Sequence, residues 1–118
     1  MEKKYLAGTL IESKSTGEKA LIEHSYKEAF GSGSHNELSV IWLDKNGNPE
    51  YSNAWKKKSD FNILESNVEE NLKKIRKYNK GDAAPIGMNA RLAIHLGYSS
   101  IHTYESALAN SKEGSIKL

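Results

Sequence analysis

The sequence predicts an α+β domain, in which a small antiparallel β-sheet or half-barrel over residues 5–64 precedes a set of helices. Three observations support this fold class. Leu38–Leu43 is the most apolar run of the chain and is rich in residues that favour strands. The pair Asn46-Gly47 follows it, and both residues tolerate the positive φ of a hairpin turn. Apolar residues then recur at helical spacing over residues 67–80, which predicts an amphipathic helix.

Length and composition limit the class of protein. The 118 residues fit a single domain, 1–118, with a β-rich part over 1–65 and an α-rich part over 66–118. The absence of cysteine excludes disulfides and thiolate chemistry and is compatible with a reducing cytoplasm. No secretory signal and no apolar run of membrane-spanning length is found, so we expect a soluble, cytoplasmic protein. The abundance of Lys, Asn and Ser is similar to that of proteins from AT-rich bacterial or phage genomes.

The predicted sheet has about five short strands, four of which form two hairpins. An SH3-like barrel is one such architecture, and this likeness concerns the fold alone. Alternation along the strand after the central turn places Tyr51 and Trp55 on the same side. Residues 26–30 fit either a helical turn or a strand extension. The predicted strands are residues 5–12, 18–24, 38–43, 51–55 and 60–64.

The α-rich part begins with a helix-start signal. Ser66-Asn67-Val68-Glu69 fits a capping box, in which the serine hydroxyl and the glutamate satisfy first-turn amides reciprocally. This pattern predicts the helix over residues 67–80. A C-terminal helical hairpin is predicted over residues 90–110, with Asn89 capping its first helix.

Basic residues are concentrated in the middle of the chain. Residues 56–80 contain eight Lys and Arg and four Asp and Glu, a net charge of +4 compared with +2 for the whole sequence. We expect this region to bind a polyanion, either nucleic acid or a nucleotide-like small molecule, with two aromatic residues able to stack on bases. The candidate ligand-binding residues are Tyr51, Trp55, Lys56, Lys57, Lys58, Lys73, Arg76, Lys77 and Lys80.

The sequence contains no specific catalytic, metal or cofactor motif. None of the four histidines has a partner at the spacing of a close metal-ligand pair. Gly31–Ser34 lacks the Lys-Ser/Thr pair of a phosphate-binding P-loop. Glu12 and Glu23 can pair across the N-terminal hairpin beside His24, so acid–base chemistry stays open. The main hypothesis is a non-catalytic binding protein with no metal and no cofactor.

One segment resembles a known motif. Leu92–Ser100 looks like the helix-turn part of a helix-turn-helix in AraC-type regulators, because Ala93 and Gly97 have the spacing of its small residue and its turn glycine. The resemblance implies a DNA-reading face in the following helix. A plain helical hairpin packed on the sheet is the alternative for residues 88–110. The residues of the implied face are Ser99, Ser100, His102, Thr103 and Glu105.

Two alternatives to polyanion binding therefore remain. One is a small protein–protein inhibitor or adaptor of the phage or mobile-element type, and the other is a DNA-binding regulator of the helix-turn-helix type. A short sheet also leaves edges with which a second copy of the chain can pair. A homo-oligomer is therefore a further expectation.

Overall fold

The computed structural model describes residues 5–99, which form a five-stranded antiparallel sheet and three α-helices. The predicted α+β class and antiparallel sheet are thus confirmed. In the predicted hairpin over 90–110, the first helix is present and the second lies outside the described residues. The strands are β1 (Leu10–Ser13), β2 (Lys19–Ser25), β3 (Glu37–Leu43), β4 (Pro49–Lys57) and β5 (Phe61–Leu64). The helices are α1 (Tyr26–Phe30), α2 (Val68–Asn79) and α3 (Ala90–His95), and a 3₁₀ turn (Lys58–Asp60) joins β4 to β5.

The sheet is strongly curled. Its strand order is β4-β3-β2-β1-β5, so β4 and β5 are its two edges although only the 3₁₀ turn separates them in sequence. The ring centroids of Trp42 on β3 and Phe61 on β5 are 5.9 Å apart, although two strands lie between β3 and β5 in the sheet. The edges must therefore approach each other, and the concave side encloses a core of its own.

Each face of the sheet carries a hydrophobic core. The concave core consists of strand residues: Ile11, Ala20, Ile22, Leu38, Val40, Trp42 and Phe61. The other core joins Leu21 and Ile41 to the helices and the segment that follows α2: Ala29, Leu72, Ile75, Ala84, Met88, Ala93 and Leu96. Strands β2 and β3 therefore bury side chains on both faces, as expected for central strands.

Helix α2 begins one residue later than the capping box predicts. The N-cap is Asn67, whose side chain accepts a hydrogen bond from the Glu70 amide at 3.3 Å. The Ser66 hydroxyl instead accepts a hydrogen bond from the Asn71 side-chain amide at 3.0 Å. Asn71 also donates to the carbonyl of Gly8 at 2.9 Å, which ties α2 to the chain before β1.

Strand β1 is shorter than predicted because a turn precedes it. The Thr9 amide donates to the Leu6 carbonyl, and Gly8 has a φ of +88°. A Cβ at Gly8 would lie 2.9 Å from the Leu72 side chain, so the glycine also lets α2 approach the sheet closely. Residues 6–9 therefore form a close contact with α2 instead of a strand.

Helix α3 ends in a glycine turn that directs Tyr98 towards the sheet. The Gly97 amide donates to the Ile94 carbonyl and the Tyr98 amide to the Ala93 carbonyl, which are the two bonds of a Schellman motif. Gly97 has a φ of +85°, and a Cβ there would lie 2.5 Å from the Arg76 carbonyl oxygen. The glycine assigned to the turn by the helix-turn-helix resemblance thus also allows close packing of this turn on α2.

We expect Gly97→Ala to lower the free energy of unfolding by about 3 kcal/mol, because the substitution adds a clash with α2 to the cost of positive φ. Gly81→Ala is the matched control, since Gly81 has nearly the same φ, +89°, and nothing within 4 Å of the added Cβ. Its expected cost is about 1 kcal/mol. Urea unfolding of both variants measures the difference, and equal costs would contradict the close packing of Gly97 on α2.

Candidate functional site

Two β-bulges lie opposite Ser39 of the central strand β3, one on each neighbouring strand. The pairing of β2 with β3 shifts between Ile22 and His24, and the pairing of β3 with β4 shifts between Leu38 and Val40. A bulge sets two residues against one and redirects a side chain to the other face of the sheet. Glu23 and His24 are consecutive in a strand, yet both contact Tyr98. The bulge therefore brings two polar side chains to one place.

These side chains form a buried polar cluster, which we call the Glu23 cluster: Glu23, His24, Ser39 and Tyr98. The Ser39 hydroxyl donates to Glu23 Oε1 at 2.9 Å, and the Tyr98 hydroxyl donates to Glu23 Oε2. His24 Nε2 lies 3.3 Å from the Tyr98 hydroxyl and 3.7 Å from Glu23 Oε1. Glu23 is 4 % exposed and His24 is 2 % exposed. A carboxylate is thus held inside the domain by two hydroxyl donors.

The hydrogen bonds define the protonation of His24. The Tyr98 hydroxyl uses its hydrogen in the bond to Glu23, so its oxygen can only accept a hydrogen bond from His24. His24 Nε2 therefore carries a hydrogen. Nδ1 is buried and has no hydrogen-bond partner among residues 5–99. Burial lowers the pKa of His24, and the nearby Glu23 carboxylate offsets part of this effect. His24 is therefore a neutral imidazole at neutral pH.

The same environment keeps the Tyr98 phenol protonated, so it remains a hydrogen-bond donor. Burial raises the pKa of the Tyr98 phenol, and the neighbouring Glu23 carboxylate raises this pKa further. A phenol that keeps its proton can serve as a lasting donor to the buried carboxylate. Tyr98 thus satisfies a buried acceptor that would otherwise destabilise the fold.

Trp55 lies beside the cluster in an unusual backbone conformation. Within residues 5–99 it is the one non-glycine residue with positive φ, +61°, which costs about 1–3 kcal/mol of strain. Its ring centroid is 5.8 Å from that of His24 and 4.9 Å from that of Tyr26. Tyr51 instead contacts Trp42 in the concave core, at 6.5 Å. The prediction that Tyr51 and Trp55 share a side is wrong, because the bulge in β4 interrupts the alternation.

Four of the predicted ligand-binding residues lie together on α2. We call them the α2 basic face: Lys73, Arg76, Lys77 and Lys80, the last being the C-cap residue. Their spacing of i, i+3, i+4 and i+7 places them on one side of the helix, opposite the buried Leu72 and Ile75. The three lysines are exposed, and no Lys or Arg forms an ion pair with a carboxylate in the part of the chain that the structure describes.

The remaining predicted cations lie elsewhere. Lys56 lines a cleft of about 380 Å³ whose floor is formed by Trp42 and Phe61. Lys57 lies opposite Glu37 in the register of β3 and β4. The Lys58 ammonium lies 5.7 Å from the centroid of the Tyr5 ring. The predicted set is therefore divided between the α2 basic face, strand β4 with the turn that follows it and, for Trp55, the neighbourhood of the Glu23 cluster.

The cleft beside Lys56 has a balanced charge. Lys14 and Lys56 line it together with Glu18 and Asp60. Its aromatic floor is almost closed to solvent, since Trp42 is 8 % exposed and Phe61 is 2 % exposed. On its own, the cleft thus has neither the excess positive charge nor the open ring face that nucleic-acid binding uses, so Lys56 can only add to binding at another surface.

The suggested pair of Glu12 and Glu23 does not form. In the register of β1 and β2, Glu12 lies opposite Lys19, and Glu23 lies beyond the start of β1. His24 does lie beside Glu23, but Ser39 and Tyr98 were not anticipated as partners. The one sequence signal was the polar pair Glu23-His24 directly after the apolar run Ala20–Ile22 of the same strand. Among residues 5–99, no group of His, Asp and Glu is placed to hold a metal ion.

Comparison with known proteins finds no matching family model, no similar curated protein and no similar solved structure. Among the helices of residues 5–99, none combines the length and the apolar character required to cross a membrane. Arguments about function therefore depend on the residues themselves.

We expect Tyr98→Phe to lower the free energy of unfolding by about 2 kcal/mol, because it leaves Glu23 Oε2 buried without its hydroxyl donor. Tyr51→Phe is the control, since Tyr51 is 47 % exposed and its hydroxyl can bond to water. Its expected effect is within about 0.5 kcal/mol. Denaturant unfolding of both variants measures the two changes. An unchanged free energy of unfolding in Tyr98→Phe would contradict the role given to this hydroxyl.

The lowered pKa of His24 predicts acid sensitivity. Above a pH of about 6.5 the folded and unfolded states are both neutral at this residue, so it adds no pH dependence. As the pH falls below 6.5, the unfolded state takes up a proton that the folded state does not. Stability should fall by up to about 1.4 kcal/mol per pH unit until the folded pKa is reached.

The measurement is the free energy of unfolding between about pH 7.5 and pH 5.5, above the usual range of carboxylates. His24→Gln should flatten this profile, because glutamine does not titrate. His95→Gln should retain the wild-type slope, since His95 is exposed on α3. An unchanged slope in His24→Gln would show that another group causes the acid sensitivity.

Proposed function

We propose that the protein is a non-catalytic binding protein whose ligand is a polyanion, either nucleic acid or a nucleotide-like molecule. The α2 basic face is the observation that carries this proposal. It presents Lys73, Lys77 and Lys80 to solvent, with no acidic partner among the described residues. Such cations can neutralise phosphates and release the counterions bound to them, which favours association.

The rigidity of α2 supports this proposal. The Asn71 side chain bonds to the Gly8 carbonyl, the Lys74 ammonium bonds to the Gly47 carbonyl at 2.9 Å, and the Asn79 side chain bonds to the Leu96 carbonyl at 3.0 Å. These contacts fix the helix to three separate parts of the domain. The basic face is therefore preorganised, which lowers the entropy cost of binding a charged ligand.

Lys56, Lys57, Lys58 and Tyr51 form a second part of the proposed surface. Tyr51 and Lys56 border the concave side of the sheet, whereas α2 covers the other side. A long ligand that wraps around the domain can contact both, while a short one can contact only one. We therefore assign the main binding to the α2 basic face and an auxiliary role to the β4 residues.

The fold is compatible with this proposal but does not select it. The strand order and the 3₁₀ turn between β4 and β5 resemble an SH3-like barrel, and such barrels serve many functions. Pro49, the bulges and Lys57 are features that protect the β4 edge from pairing with another chain. The inhibitor or adaptor, the helix-turn-helix regulator, the homo-oligomer and the cytoplasmic location remain predictions.

The test is a charge-neutralised variant of α2, Lys73→Gln, Lys77→Gln and Lys80→Gln combined. We expect it to bind fluorescent single-stranded and duplex oligonucleotides at least tenfold more weakly at low salt, as measured by anisotropy. The slope of log affinity against log salt should decrease by about 0.7 per lost contact on single strands and about 0.9 on duplex DNA.

A matched control carries the same change of charge at exposed lysines far from α2 in sequence: Lys14→Gln, Lys19→Gln and Lys27→Gln. It should retain most of the wild-type affinity. Equal losses in both variants would indicate a response to net charge alone. Wild-type protein that binds no oligonucleotide at low salt would overturn the nucleic-acid form of the proposal, and polyphosphate and nucleoside triphosphates would then test the other forms.

A further inference from the structure

Tyr98 connects the chain beyond α3 to the sheet. Its hydroxyl donates to Glu23 on β2 and lies 3.3 Å from His24 Nε2. Two backbone hydrogen bonds hold the chain around Tyr98 against nearby segments. The Tyr98 amide donates to the Ala93 carbonyl of α3, and the Ser99 amide donates to the Asp82 carbonyl at 2.6 Å. The Glu23 cluster is thus a point at which a side chain from the C-terminal half is fastened to the centre of the sheet.

His24 is poorly placed to take up a second proton. Nδ1 is buried without a well-formed hydrogen-bond partner among residues 5–99, so a proton added there would be a buried charged donor that the backbone of His24 and Ser25 stabilises only in part. Both carboxylates near His24 are engaged by other donors. Glu23 accepts from Ser39 and Tyr98, and Glu28 on α1 accepts from the Ser25 amide at 2.8 Å as part of a capping box.

The groups that face the cluster come from several parts of the fold. Glu23 lies on the same strand as His24, Glu28 approaches from α1, and the uncharged ring of Trp55 approaches from β4. Tyr98 approaches from the chain after α3. Asp82 and Tyr78 are further neighbours of Tyr98. Among these side chains of residues 5–99, His24 is the one that can become a cation, and the two nearby carboxylates, Glu23 and Glu28, offset part of the cost of its charge.

We propose that the Glu23 cluster is a proton-operated latch, in which protonation of His24 releases Tyr98 from the sheet while the sheet remains folded. Withdrawal of the Tyr98 side chain opens the cluster to water, and water can then solvate the protonated imidazole. Mild acid therefore favours the open latch. By linkage, the ratio of open to closed latch rises up to tenfold for each pH unit below about 6.5.

The test uses amide hydrogen exchange of the full chain, followed by NMR and corrected for the intrinsic pH dependence of exchange. Between about pH 7 and pH 5.5 we expect the opening constants of the Tyr98 and Ser99 amides to rise at least tenfold. The amides of Val40 and Ile41 on β3 should keep their opening constants. His24→Gln should abolish the rise, and His95→Gln should retain it.

A second measurement does not depend on His24→Gln folding. The titration of the His24 imidazole by NMR in the Tyr98→Phe protein should show a pKa closer to 6.5 than in the wild type, because the ring loses the hydrogen bond that holds it in the cluster and opens more often. Three results would each overturn the proposal. They are an equal rise in the opening constants of the β3 amides, an undiminished rise in His24→Gln, and a His24 titration that Tyr98→Phe leaves unchanged.

Discussion

The burial of β2 and β3 on both faces is the constraint on which the rest of this structure depends. A strand with two covered faces has no solvent-facing side on which a polar residue can be placed. Glu23 and His24 nevertheless occupy the end of β2, so their polar groups must be satisfied inside the domain. Three features satisfy these polar groups: the bulge in β2, the hydroxyl of Ser39 and the phenol of Tyr98.

The positions of helices α2 and α3 depend on the same constraint. Tyr98 reaches Glu23 because the chain turns sharply after α3, and the turn depends on Gly97. The same glycine lies against the Arg76 backbone, so the turn also positions α3 on α2. One side of α2 is committed to this packing, which leaves its opposite side free to carry lysines. The buried polar cluster and the exposed basic face are therefore linked through a single helix.

Much of the fold could be predicted from local signals. The strands, the central turn and α2 depend on periodicity and on turn or capping residues that are neighbours in sequence, and these predictions are confirmed to within five residues at each boundary. The position of Trp55 could not be predicted, because a bulge shifts the alternation by one residue without a composition of its own. Tyr98 could not be predicted as a partner of Glu23 because 75 residues separate them.

The closure of the sheet has a consequence for how the chain folds. Strands β2, β3 and β4 form a meander of sequence neighbours, whereas β5 pairs with β1, and Phe61 lies opposite Ser13 across the whole length of that meander. Contacts between distant parts of a chain form slowly, because the loop between them must first be ordered. The meander is therefore the natural nucleus, and the docking of β5 on β1 is the late step that completes the curled sheet.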